Sequence, residues 1–294
     1  MDDVLSRAFE EHRAHLRAVA YRMLGSSTDA DDAVQEAWLR TNDAEPDDIQ
    51  DLRAWLTTVV ARVSLNMLRT RRRRREQPLE LLSAAESTDT RVEPEAEAVL
   101  ADSVGLALLV VLDTLTPAER LAFVLHDMFD LPFDEISPIV GRSPAAARQL
   151  ASRARRRVRG TEPPEDDSRR RGLVAAYLAA TRAGDFEALL RILDPDVELV
   201  ADPQAVPSGR PVQLHGATTV ARMALASVDR ARSTQVAVVD GALGLVMAVD
   251  GRLALAMTFV IDGERIRGID VIAAPERLAR VQVAVPGDPP FSDL

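Results

Sequence analysis

The stretch that most constrains this chain is FDEISPIVGRSPAAARQLASRARRRVR, residues 133–159. Two short helical patterns flank a tight turn at Gly141. Ser143 stands where an N-cap hydroxyl accepts from the first turn of the second helix. Pro144 follows at the first helical position, where a missing N–H costs nothing. That helix carries Arg148, Arg153, Arg155, Arg156, Arg157 and Arg159 and no acid. A helix, a Gly-containing turn and a basic second helix is the pattern of a helix-turn-helix. An ordinary helical hairpin with a solvated charged face has the same local pattern.

Charge bears on that choice only through its distribution. The net charge of −10, from 46 acidic and 36 basic residues, argues against a nucleic-acid partner if spread evenly. It is not spread evenly. Every basic residue is arginine, and the arginines crowd into 69–75 and 142–159. Phosphate attraction acts locally, being screened within about 8–10 Å at physiological salt. Cysteine is absent, which excludes disulfides and cysteine-based metal sites. The start MDDVLSRAFEEHR has neither the basic head nor the apolar run of a signal peptide, and no apolar run reaches membrane-spanning length. The expectation is a soluble cytoplasmic protein.

In order, residues 4–24 show an apolar stripe at helical spacing, and Gly25 is a natural stop. Thr28 with Asp31 reads as a capping box for a second helix to about Arg40. One face of it is Ala30, Ala33, Val34, Ala37 and Trp38; the other is Asp31, Asp32, Gln35 and Glu36, for which plain solvation is the simplest reading. Residues 41–51 are a polar loop. A third helix from Leu52 buries Leu56, Val59, Val60, Val63 and Met67 and runs into the arginine cluster. Arg62, Asn66 and Arg69 share another of its faces. Residues 76–100 are acidic and carry Pro78 and Pro94, as a flexible linker does. Helices resume near Ala101, and Thr116, Pro117 and Glu119 form a strong start for a helix to about Met128. Residues 161–168 form a second linker.

From Arg169 the period changes. Helices are expected at 169–182, 185–193 and near 217–228. Strands are expected at 197–201, 235–239, 243–249, 253–261 and 265–272. Asp240-Gly241, Asp250-Gly251 and Asp262-Gly263 are hairpin turns between them. This predicts an α+β domain with helices on one face of a curved, mostly antiparallel sheet.

Three segments then carry a resemblance. GSSTDADDAVQEAWLR (Gly25–Arg40) resembles the region 2 helix of extracytoplasmic-function (ECF) sigma factors. LRAWLTTVVARVSLNMLRTRRRRRE (Leu52–Glu76) resembles their promoter-melting helix, and Leu115–Val158 resembles their region 4. LVAAYLAATRAGDFEALLRILDPDVELVAD (Leu173–Asp202) is similar to the opening of SnoaL-like domains of the NTF2-like superfamily, an extension that one ECF subgroup carries. That subgroup's Asp-Gly-Gly-Gly-basic motif is replaced here by ADPQAVPSGRP (Ala201–Pro211). Its Asn-Pro-acid-basic-Leu tail motif survives in part as Ala274–Leu278, and its Trp-Leu-Pro-Glu-Pro element gives way to REQPLELL (Arg75–Leu82).

The resemblance implies two all-α sigma domains, a region 2 helical bundle (1–75) and a region 4 helix-turn-helix (101–160). These are followed by an α+β SnoaL/NTF2-like cone (169–294). It implies RNA polymerase core as partner, through its β′ clamp helices and β flap, and promoter DNA. Asp31, Asp32, Gln35, Glu36 and Leu39 become polymerase-binding candidates. Arg62, Asn66, Arg69, Arg71 and Arg72 become −10 candidates, with the 42–51 loop helping to form a base pocket. Trp55 matches a family aromatic and reads as core rather than base-stacking. Arg148, Gln149 and Ser152 fall where region 4 reads the −35 element, with Arg148 suited to guanine and Gln149 to adenine. Arg142, Ser143, Arg153, Arg156 and Arg157 suit phosphates. The acidic linker is expected to thread the polymerase cleft, and the SnoaL-like domain to contact the sigma core and modulate it.

Catalysis in that domain would need an Asp or His in an apolar pocket. The candidates Asp202, His215 and Asp270 form no acid–base pair at a telling spacing, so neither catalytic residue, cofactor nor metal is assigned. A stand-alone helix-turn-helix regulator with a ligand-sensing domain, and a SnoaL-type enzyme fused to a DNA-binding module, are the competing readings.

Overall fold

A computed structural model describes residues 2–41, 51–76, 105–160 and 167–286. They form two compact units: Met1–Val104 with Leu112–Arg156, and Gly105–Val111 with Arg157–Ser292. The loop at 42–50 and both linkers expected from sequence, apart from Glu76 and the last two residues of the second, lie outside the described residues.

The first unit is helical. Helices α1 (Asp2–Leu24), α2 (Ser27–Thr41) and α3 (Leu52–Glu76) pack against one another. Leu16, Val19, Ala20 and Met23 of α1 meet the alanine stripe of α2 and Leu56, Val60 and Val63 of α3, all buried. Small residues on α2 let the backbones approach closely. Gly25, at φ 78°, ends α1 in a conformation that costs a side-chain-bearing residue roughly 1–2 kcal/mol. The cap of α2 is Ser26, whose Oγ accepts from Asp29 N at 3.4 Å, and not Thr28. Because Gly25 has already turned the chain, the helix starts two residues earlier than the Thr28 box suggests. At α3, Asp51 accepts from Ala54 N at 3.0 Å. The helix then continues through the arginine run to Glu76, a rod of about 37 Å.

Next come α4 (Leu106–Thr114) and α5 (Pro117–Phe123). The capping box at Thr116 is complete: Glu119 N donates to Thr116 Oγ1 at 3.3 Å, and Thr116 N donates to Glu119 Oε2 at 3.1 Å. The expected helix to Met128 instead widens into a π-helical turn at Val124–Met128 and stops at Asp130, φ 55°. Helix α6 (Phe133–Val140) ends at Gly141, φ 71°, where Gly141 N and Arg142 N both donate to Ser137 O. Helix α7 (Pro144–Arg159) starts as its sequence predicts, with Ala146 N donating to Ser143 Oγ at 3.3 Å. Ala147, Ala151 and Ala154 seat α7 with no exposure at all.

The second unit is built on a seven-stranded curved sheet in the order β2-β1-β6-β5-β4-β3-β7. Its strands are β1 (Leu193–Ala201), β2 (Val212–His215), β3 (Thr234–Val239), β4 (Ala242–Val249), β5 (Arg252–Asp262), β6 (Arg265–Ile272) and β7 (Val283–Ala284). Every pairing is antiparallel except β1 with β6. The turns at Asp240-Gly241 and Asp250-Gly251 place both residues at positive φ, as a two-residue hairpin requires. Helices α8 (Asp167–Ala183), α9 (Phe186–Ile192), α10 (Ala217–Leu225) and α11 (Val228–Arg232) cover one face. The other face buries Ala237, Val239, Val246, Ala256 and Ile272 under Ala107 of α4 and under Leu278 and Val281 near α12 (Pro275–Leu278). Sequence reading missed β2 and β7. One is four residues long and the other two, and neither carries an apolar run.

Candidate nucleic-acid interface

In α3, burying Val60, Ala61, Val63 and Ser64 turns Arg62, Asn66 and Arg69 together to solvent. Arg72 is exposed beyond them, whereas Arg71 turns back: it ion-pairs with Asp29 of α2 and lies 3.5 Å from Leu24 O. Arg71 thus braces α2 against α3. The alanine stripe of α2 likewise leaves Asp31, Asp32, Gln35, Glu36 and Leu39 exposed, Leu39 by 59%. Arg17 holds Asp31 at 2.6 Å, and this bond raises the arginine's pKa. Arg40 holds Glu36 at 3.0 Å. A groove of about 490 Å³ runs between the two faces, with Asp32, Glu36 and Arg40 on one wall and Asn66, Thr70 and Arg74 on the other. Trp38 and Trp55 are both half-buried. The Trp38 ring lies 4.9 Å from that of Phe9.

In α7 the alanine seam turns Arg148, Gln149, Ser152, Arg153, Arg156 and Arg157 to the exposed side, with Arg148, Gln149 and Ser152 adjacent in its first half; Arg142 and Ser143 are exposed in the turn before it. Arg155 points elsewhere. It pairs with Asp127 of the π-helical turn at 2.5 Å and ties α7 to that turn. Phe133, which the sequence did not single out, supports Arg148. The guanidinium lies 5.2 Å above its ring, and His126 packs at 3.9 Å between centroids. Cation–π support of this kind holds an exposed arginine in a fixed orientation.

The two helical segments of the first unit are joined by groups the sequence gave no reason to pair. Arg120 at the start of the second segment is 2% exposed, and its Nε donates to Arg22 O, near the end of α1, at 3.1 Å. A cation suits the carbonyl end of a helix. Arg22 lies 5.2 Å over Phe129, and His15 meets the same ring edge-on at 5.3 Å. His15 Nε2 also lies 3.1 Å from Thr57 Oγ1. Burial, then the positive charges of Arg53, His12 and Arg22, lower the His15 pKa to about 4. No local pattern marks these residues; only the long-range packing does.

In the second unit, Asp202 and Asp270 are brought together by Arg277. The Asp202 carboxylate accepts from Ala273 N and Ala274 N at 2.9 Å each and from Arg277 Nη1 at 2.7 Å. Arg277 Nη2 donates to Asp270 at 2.6 Å. Burial acts to raise the Asp202 pKa, but the two backbone N–H groups and the guanidinium outweigh it and hold the carboxyl below its ordinary range. The pairing thus joins the Ala201–Pro211 segment to the Ala274–Leu278 segment. His215 is exposed, 3.9 Å from Glu198 on the neighbouring strand.

The segment 8–74 matches the model of Sigma-70 region 2, and 105–158 matches that of Sigma-70, region 4. The ECF RNA polymerase sigma factor SigJ of Mycobacterium tuberculosis is 40% identical over 269 residues, covering 84% of this chain and 84% of that protein. The probable ECF RNA polymerase sigma factor SigI of the same species is 33% identical over 290 residues, covering 97% of this chain and 98% of that protein. The crystal structure of SigJ is 34% identical, covers 92% of this chain and 97% of its own, and superposes with a TM-score of 0.44. Alignments of this length extend through the sheet domain as well as the helical segments, and the chain belongs to the extracytoplasmic-function sigma factors.

Proposed function

We propose that this chain directs core RNA polymerase to specific promoters. The observation that carries this is the set of three separate exposed polar faces, each backed by an alanine- or valine-rich seam. Asp31, Asp32, Gln35, Glu36 and Leu39 would meet the β′ clamp helices. Arg62, Asn66, Arg69 and Arg72 would meet the opened −10 element, where a flipped base needs hydrogen bonds and the displaced strand needs cations. Arg148, Gln149 and Ser152 would read −35 base edges in the major groove. Arg142, Ser143, Arg153, Arg156 and Arg157 would hold its phosphates, and region 4 would meet the β flap.

Run-off transcription with purified core polymerase tests this: specific initiation is expected only when the chain is added. Arg148→Ala is expected to weaken promoter recognition by about 1–3 kcal/mol, with the loss concentrated at one −35 position. Unaltered −35 preference would remove Arg148 from the reading set, and no initiation by the native chain at any promoter would refute the proposal.

We further propose that the sheet domain modulates the sigma core through direct contact. Supporting this, Leu106 N donates to Gln235 Oε1 at 2.7 Å and Val285 N donates to Val158 O at 3.1 Å. Both bonds lie within the second unit, which takes in the first and last residues of the region 4 match.

A further inference from the structure

The second unit encloses a cavity of about 80 Å³ between the sheet and helices α8, α10 and α11. A water needs about 10–15 Å³ by this measure, so the space admits a compact molecule of several non-hydrogen atoms. Its floor is apolar and buried: Leu199, Leu245, Leu255 and Val271. Met223, Met247 and Met257 add adaptable, polarisable walls.

The polar groups in the lining are already engaged. Thr181 Oγ1 donates to Tyr177 O, and Thr234 Oγ1 donates to Arg230 O, both at 2.8 Å. Ser227 Oγ donates to Met223 O at 3.2 Å. Burial keeps the Tyr177 hydroxyl un-ionised.

Arg230 differs. It lines the cavity where the wall is only partly buried, beside Val206, Met223 and Ser227. Its guanidinium donates to Ala205 O and, at 3.1 Å, to Ser227 Oγ. Both acceptors are neutral, and among the described residues no carboxylate pairs with it. Two of its five N–H groups are engaged in these bonds, leaving the others for a further acceptor. A half-buried cation without a counter-ion, at the rim of an apolar space, favours an anion that brings an apolar body with it.

We propose that this cavity binds a small apolar monocarboxylate. Its hydrocarbon part lies on the Leu199–Leu245 floor and its carboxylate on Arg230. This goes beyond promoter recognition and does not depend on it, because binding is measured without polymerase or DNA.

The test uses the full chain with methyl-labelled methionine, titrated with hexanoate and benzoate and with their uncharged counterparts hexan-1-ol and benzyl alcohol. Both acids are expected to shift the methyl signals of Met223, Met247 and Met257 and to bind about tenfold more tightly than the alcohols, the share of a charge-assisted bond. Arg230→Gln is expected to abolish that preference, and Arg230→Lys to retain part of it. Should Arg230→Gln fail to fold, contacts between the hexanoate methyl and these methionines in the native chain decide the point. The proposal is overturned if no probe moves those signals at millimolar concentration, if the alcohols bind as well as the acids, or if the preference survives Arg230→Gln.

Discussion

At the scale of single residues, arginine takes three different roles according to what faces it. Arg62 and Arg148 are exposed, the latter over Phe133. Arg71 and Arg155 are drawn into ion pairs with Asp29 and Asp127. Arg120 is buried, with its Nε on a helix-end carbonyl and its Nη1 3.9 Å from Asp113. Arg120→Ala would leave Arg22 O without that donor, take the cation from beside Asp113 and open a void at a buried position. We predict a loss of about 2–4 kcal/mol, seen as a lower midpoint in urea unfolding of the first unit. A loss below half a kcal/mol would show that water replaces the guanidinium without penalty. The resemblance sorted Arg148 from the phosphate candidates and assigned Arg155 nothing, but the partners of Arg71, Arg120 and Arg155 lie far off in sequence and only the fold brings them together.

At the scale of elements, local signals were legible and long-range ones were not. The box at Thr116, the cap at Ser143, the stop at Gly141 and the Asp-Gly hairpins rest on contacts within four residues, so residue type alone specifies them. The π-helical turn holds Asp127 against Arg155, 28 residues on, and β2 pairs with the edge of β1. Neither leaves a periodicity to read.

The packing of His15 of α1 against α3 and Phe129 also carries a pH dependence. Folded His15 takes up a proton only near pH 4, whereas an unfolded histidine does so near its ordinary value of 6.5. The folded form is therefore at full strength above about pH 6.5 and weakens as pH falls from there towards 4. Hydrogen exchange of α1 and α3 amides is expected to speed up at pH 5 relative to pH 7.5, beyond the intrinsic rate change. His15→Gln should remove most of that difference. An identical pH dependence in the variant would exclude His15 as its source.

At the scale of the whole molecule, family membership and the order of helical and sheet segments were readable, because sigma motifs are dense and collinear. The cavity lining was not, being assembled from residues spread over 177–271. The fate of the degraded motifs was not readable either. Asp202 and Arg277, far apart in sequence, touch, and this bears on the proposed modulation. Arg277→Ala frees α12 from Asp202 and Asp270 and loosens the path to β7 and Val158. We predict at least a threefold change in run-off transcription relative to the native chain at equal polymerase concentration, from a coupling of about 0.7 kcal/mol or more between tail and core. Equal activity would place Arg277 in local stability alone.

The unbroken course of α3 into its arginines has a last consequence. Cations at the C-terminal end of a helix suit its dipole, yet the exposed Arg72, Arg73 and Arg74 are like charges crowded into a single turn. That end of the rod is consequently the part most easily frayed when its surroundings offer no anion. A polyanion lying along it would neutralise the repulsion and complete the winding, so grip and rigidity would arrive in a single event.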